Sequence, residues 1–331
     1  MAEGTNQDAA IARAVTRLSG RYVLRAFQLL IELYGDIRAG LIAQAIHAAN
    51  TAHVYPRTEA GRTPADSAGV LPDDARRPIG IARLADSAGL PFETTRRVVQ
   101  RLIDSGTCRR VSGGVIVPAS IVTRRETVRA VHANLGYVRE FLRDLQAAGL
   151  AEPVASVLTP AADGAEDLFA RIVARFSADY LLRALRLLVD TYGDIRVGIV
   201  AQAVVAANTA HLETEAMEST PRYAGIAETP PDEVRTPVSI AKLAESLGLP
   251  YETMRAQAHR LVDAGICIQV KGGLIVPSAF LEQPAAAQAT LANVGYVRRF
   301  VRNLEGIERP PTHRAPEDGD NPVRDAPGSA L

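Results

Sequence analysis

The chain of 331 residues has no tryptophan, two cysteines and few aromatics (5% Phe, Trp and Tyr together). Each shortage excludes something. Two cysteines exclude a disulfide-rich secreted scaffold and argue against a thiolate metal cluster. Cys108 and Cys267 read as small buried hydrophobes on short strands. With so few rings, a core drawn from the 47% hydrophobic fraction must be filled by Leu, Val, Ile and Ala, which suits closely packed helices. The six histidines are scattered, without Cys or carboxylate at ligand spacing, so no metal site is expected. There is no phosphate loop, no dinucleotide-binding glycine turn and no nucleophile elbow, so neither an enzyme nor a cofactor is expected. Long apolar runs are missing too. The apolar segments near 24–33 and 37–49 are interrupted by Glu32, Asp36 and Arg38, short of the ~18–20 residues of a membrane span. "MAEGTNQDAAIARAV" has no basic stretch leading into an apolar one, so the expected compartment is the cytoplasm and no membrane partner is expected.

What is present is a repeat. "YGDIRAGLIAQAIHAANTAH" (34–53) returns as "YGDIRVGIVAQAVVAANTAH" (192–211), and "ANLGYVREFLRDL" (133–145) returns as "ANVGYVRRFVRNL" (292–304), shifts of 158 and 159 residues. A period of that size is a duplicated domain, not a solenoid. The formal charge of zero hides a difference between the halves. Residues 1–158 carry 20 basic and 15 acidic side chains, and residues 159–331 carry 17 and 22.

The first repeat is expected over 8–148 and the second over 166–305. In each, two helices come first (8–19 and 21–33; 166–177 and 179–191), with Val23, Ala26, Phe27, Leu30 and Ile31 at helical spacing. "YGD" then breaks the chain, with Asp36 a good N-cap for a third helix to 53, or to 211 in the second copy. The Pro- and Gly-rich loops 54–77 and 212–236 read as solvated linkers, and 306–331 as a disordered tail. Terminal helices are expected at 121–147 and 279–305, with apolar stripes Tyr137, Val138, Phe141, Leu142 and Tyr296, Val297, Phe300, Val301.

Between linker and terminal helix lie the segments 78–118 and 237–277. "IGIARLADSAGLPFETTRRVVQRLIDSGTCRRVSGGVIVP" reads as helix (79–87), turn, helix (91–105) and a two-stranded hairpin. Gly89 makes the turn and Pro91 suits the first helical position. Ile81, Leu84 and Ala85 face inward on the first helix. Phe92, Thr95, Val99, Leu102 and Ile103 form the expected buried stripe of the second, matched by Tyr251, Met254, Ala258, Leu261 and Val262.

This stretch resembles the winged helix-turn-helix of bacterial transcription regulators, of the broad MarR-like and GntR-like kind. The resemblance covers about a quarter of the chain. It implies a mainly α fold with small β-hairpin wings, two tandem winged helix-turn-helix domains related by a pseudo-two-fold axis. It implies duplex DNA as partner, with the second helix reading base edges in the major groove. The residues this would place at DNA are Thr94, Arg96, Arg97, Gln100 and Arg101, with Arg109 and Arg110 on the wing. Arg pairs bidentately with guanine and Gln with adenine. Arg76, Arg77 and Arg83 are further phosphate candidates.

In the second copy the set is Thr253, Arg255, His259, Arg260 and Lys271, while Arg97 becomes Ala256 and Arg110 becomes Gln269. The basic excess is about three over 78–118 and about one over 237–277. A single-chain pseudo-dimer then reads two unequal half-sites, or the first copy reads and the second completes the scaffold. The alternative is a winged-helix scaffold that binds protein. Terminal and first helices are expected between the copies by resemblance, or within one copy as core. A further homodimer and a small-molecule effector stay open.

One repeated polar set is left over: Gln44, Asn50, Thr51 and His53, matched by Gln202, Asn208, Thr209 and His211. These satisfy a helix end, pair the copies, or line an effector pocket.

Overall fold

The computed structural model describes residues 2–53, 70–159, 166–216 and 222–307. It is mainly helical, with two small antiparallel hairpins. Copy one contains α1 (Ala2–Tyr34), α2 (Ile37–Thr51), α3 (Ile81–Ala88), α4 (Phe92–Asp104), β1 (Arg109–Val111), β2 (Gly114–Ile116), α5 (Ala119–Val122) and α6 (Arg125–Ala147). A short helix, α7 (Ala155–Leu158), leads into copy two: α8 (Glu166–Tyr192), α9 (Ile195–Ala216), α10 (Ile240–Leu247), α11 (Tyr251–Asp263), β3 (Ile268–Val270), β4 (Gly273–Ile275), α12 (Ser278–Leu281) and α13 (Pro284–Glu305). The C-terminal tail from 308 and most of the loop 54–77 lie outside the described residues.

The two expected opening helices are one. α1 and α8 run without a break, through Ala178 in α8 and through Gly20 in α1. Gly20 lets Gln202 of α9 pack where a Cβ would stand. The break at "YGD" is as expected. Gly35 and Gly193 turn the chain at positive φ (73° and 77°). Asp36 accepts from the Arg38 backbone amide at 3.2 Å, and Asp194 from Arg196 at 2.8 Å.

The terminal helices are shorter than expected. Thr123–Arg124 and Glu282–Gln283 separate α5 from α6 and α12 from α13, and in copy two Pro284 sits at the start of α13, where it cannot continue a preceding helix. α9 runs past the expected end at 211, to Ala216. It also holds, among the described residues, the one window long and apolar enough to cross a membrane, Ile195–Leu212, which the sequence reading passed over. More than half of that window is buried inside the molecule.

The copies are interlocked. α1 packs on α6 of its own copy and on α13 and α9 of the other; α8 packs on α13 and, reciprocally, on α6 and α2. Terminal and first helices therefore serve both expected roles, core and inter-copy contact. At the centre four rings from four helices stack: Tyr22 on Phe141 (5.5 Å), Tyr180 on Phe300 (5.3 Å), and Tyr22 on Phe300 (6.0 Å). Burial raises the pKa of both phenols, which stay neutral donors. Tyr22 donates to Asn134 Oδ1, whose amide donates to Ser177 Oγ of the other copy at 3.0 Å. Tyr180 donates to Asn293 Oδ1, whose amide donates back to Ser19 Oγ at 2.9 Å. Each polar group has its partner, so the buried cluster fixes the register between copies without an unsatisfied cost.

The lobes at 78–118 and 237–277 follow the expected order. β1 pairs with β2, and Ile79 adds an isolated bridge to Val115. Gly114 is required there, because a Cβ would collide with the Ile79 carbonyl. Leu84, Val98, Val99 and Leu102 are buried, as are Met254, Ala258 and Leu261. Phe92 and Tyr251, expected in the stripe, are 52% and 50% exposed, and Val262 is also exposed. They stand in the first or last turn of the helix. Cys108 and Cys267 are free and buried one residue before the strands, their thiols pushed up to about 12 by burial.

The linkers are not wholly solvated. A 3-10 turn at Asp73–Ala75 anchors copy one: Asp73 accepts from the Ala119 amide at 2.6 Å and pairs with Arg109 at 2.9 Å. In copy two residues 224–226 insert into the helical ladder of α1. The Ile226 amide donates to Ala9 O at 2.7 Å, and Ala224 O accepts from Arg13 N at 2.9 Å.

Candidate nucleic-acid interface

α4 is oriented by its buried stripe against α2 and α3, which leaves its opposite face outward; α11 is held the same way by α9 and α10. Arg96, Arg97, Gln100, Arg101, Arg109 and Arg110 are exposed, and Thr94 is half-buried. Thr253, Arg255, His259, Arg260 and Lys271 are exposed. Arg97 is the most open of the paired arginines on α4, its side chain 74% exposed.

Most of the basic groups in copy one already have acidic neighbours. Glu93 accepts two bonds from Arg96, each 2.8 Å, and one from Arg97 at 3.0 Å. Those donors hold its carboxyl at about 2. Gln100 donates to Asp104 at 2.8 Å, Arg101 pairs with Asp36 at 3.3 Å, and Arg109 pairs with Asp73. In copy two Arg255 pairs with Glu252 at 2.7 Å. Arg110, Arg260 and Lys271 have no hydrogen-bond or ion-pair partner among the described residues. Exposed pairs of this kind are worth ~0–1 kcal/mol each, so an incoming phosphate can replace the carboxylate at little cost.

Among the further phosphate candidates, Arg77 and Arg83 are exposed, but Arg76 is not available. Its side chain is fully buried, donating to Leu71 O at 2.7 Å and lying 3.4 Å from His47 Nδ1. Burial first, then Arg76, Arg171 and Arg175, lowers the pKa of His47 to about 3, so the ring is neutral.

Asn50 neither caps a helix end nor pairs the copies. Fully buried, it donates to Arg77 O (2.8 Å) and Val115 O (3.1 Å) and accepts from Val117 N (2.9 Å). It thus ties α2 to the hairpin that carries Arg109 and Arg110. Asn208 makes the same three bonds, to Thr236 O, Leu274 O and Val276 N. Thr51 and Thr209 bond back to His47 O and Val205 O on their own helices. Gln202 and Thr209, but not Asn208 or His211, line a cavity between the copies. Among the described residues no cluster of His, Cys, Asp or Glu has the makings of a metal site.

No protein-family model, no curated protein and no solved structure matches this chain.

Proposed function

We propose that this protein binds duplex DNA as a single-chain pseudo-dimer of two winged helix-turn-helix lobes and regulates transcription. The observation that carries the reading is the outward row on α4, Arg96, Arg97, Gln100 and Arg101, beside Arg109 and Arg110 on β1. A helix of that width fits the major groove, and Arg and Gln are the side chains that read G and A edges there. Arg109 and Arg110 belong to the phosphate backbone on either side. Copy one is the principal reader and copy two the weaker one.

The test is selection from a random duplex pool, at two salt concentrations, beside an Arg96→Ala/Arg97→Ala variant. Enrichment of a two-part motif that the variant loses supports the reading. Absence of binding at low salt removes it.

A second reading has its own observation. Phe92 and Tyr251 stand half-exposed at matched positions at the head of α4 and α11. Exposed rings at that place suit a protein partner docked on the same face. If the pool shows no binding, that face is the one to probe for a protein partner.

A further inference from the structure

A cavity of about 110 Å³ lies where the copies meet, between α1 of copy one and α8, α9, α12 and α13 of copy two. On the same measure a water takes ~10–15 Å³, so there is room for about eight heavy atoms. Val23, Leu188, Val205 and Ala289 give it apolar lining. Arg13 and Arg17, one turn apart on α1, and Arg235, after the 3-10 turn Asp232–Val234, give it positive charge.

Among the described residues neutral carbonyls accept from all three guanidinium groups. Arg13 donates to Ile226 O at 3.0 Å and Leu281 O at 3.5 Å, Arg17 to Tyr223 O at 2.8 Å, and Arg235 to Pro230 O at 2.8 Å. Among the described residues two carboxylates balance Arg13 and Arg235 in part: Asp232, 3.5 Å from Arg235 Nε, and Glu282, which acts on both through space. The side chain of Arg235 is fully buried, and its Nη1 has no hydrogen-bond partner among the described residues. A buried guanidinium short of a partner is costly.

The repeat shows what that group lacks. In copy one the matching arginine, Arg76, has the neutral imidazole of His47 at 3.4 Å from its Nη1. In copy two the position of His47 is taken by Val205, which offers no acceptor.

We infer that this cavity binds a small organic carboxylate with an apolar body, the carboxylate paired with Arg13 and Arg235 and the hydrocarbon against Val23, Leu188 and Val205. The inference stands on the cavity and does not depend on DNA binding.

The test uses the full chain, thermal unfolding and calorimetric titration with benzoate, hexanoate and octanoate, each beside its primary amide. At least one carboxylate is expected to raise the melting temperature saturably, by ~5 °C at a hundred times its Kd, with its amide at least tenfold weaker. Ala289→Phe fills the cavity and abolishes the shift. Val205→His installs the imidazole of copy one and weakens binding at least tenfold, and it carries the test alone if the first variant does not fold. Equal binding of acid and amide, a shift that survives Val205→His, or no saturable shift from any of the three acids overturns the inference.

Discussion

The two copies share a backbone plan and differ in how their lobes are attached. In copy one Ile79, Leu84, Val99, Cys108 and Val115 form, with Ile42 and Ile46 of α2, a buried cluster that meets the central core through the half-buried Tyr34 and Leu182. In copy two Leu243, Met254, Leu261, Cys267 and Leu274 belong to the same continuous core as Tyr22 and Phe300. One joint is visible. Phe280 stacks on Tyr192 at 5.7 Å, and its counterpart in copy one is Ile121, in the buried cluster of that copy. The copy with more arginines on its outer face thus has the lobe more loosely joined to the central core, and the copy with fewer has the lobe continuous with it.

The largest expected effect comes from the buried asparagines. Asn50→Ala and Asn208→Ala each strand one carbonyl, Arg77 O or Thr236 O, and one amide, Val117 N or Val276 N, while Val115 O and Leu274 O keep the bonds from Ile79 N and Val238 N; the cost is ~2–4 kcal/mol. The comparison separates them: Asn50→Ala is expected to split thermal unfolding into two steps, because lobe one opens alone. Asn208→Ala lowers a single transition. Next, Phe280→Ala costs ~3 kcal/mol and raises amide exchange in α10 and α11 toward the level of α3 and α4. Equal protection of the two lobes in the unaltered chain breaks the comparison outright.

Which of this was legible in the sequence follows from distance along the chain. The repeat, the break after Tyr34, the cap at Asp36, the turn at Gly89 and the stripe of Val99 and Leu102 are local patterns, and they stand in the structure where the spacing put them. The division of the opening helix at 19–21 does not hold, and what Gly20 does there depends on Gln202, far along the chain. Asn50 looks like a helix-end residue until Val115 and Val117 arrive more than sixty residues later. Phe92 and Tyr251 fit the helical period yet stand exposed, since a period says which side a residue faces and not whether anything is there. The stripes of the terminal helices were visible; that Phe141 and Phe300 meet Tyr22 and Tyr180 in one stack depends on a register between four helices that no local pattern encodes. The outward row on α4 and the wing arginines are legible residue by residue, while the pairing of the row with Glu93 and Asp36, and of Arg109 with Asp73, is not.

Smaller effects sharpen the difference at the interface. Arg96→Ala/Arg97→Ala is expected to weaken DNA binding ~10–100-fold, and Arg255→Ala ~3–10-fold, by anisotropy titration. His47 adds a pH signature to copy one alone. Its folded pKa, about 3, lies below its unfolded value, so the unfolded chain takes up the proton first and stability falls as pH drops below ~6.5 toward 3. The loss is ~2 kcal/mol at pH 5, and His47→Val, which copies position 205, is expected to flatten it in denaturant titrations. Last, Glu93→Gln frees Arg96 and Arg97 and tightens DNA binding a few-fold at low salt. With its carboxyl held at about 2, Glu93 itself adds no pH dependence between pH 5 and 8.

The most direct measurement of the central claim is the slope of log K against log salt for duplex DNA. It is taken for the unaltered chain, for Arg96→Ala/Arg97→Ala and for Arg255→Ala/Arg260→Ala. The account predicts a steep negative slope that flattens by ~1–2 when the first pair is removed and by less when the second is. Binding that ignores salt, or loses as much slope from the second pair as from the first, contradicts it.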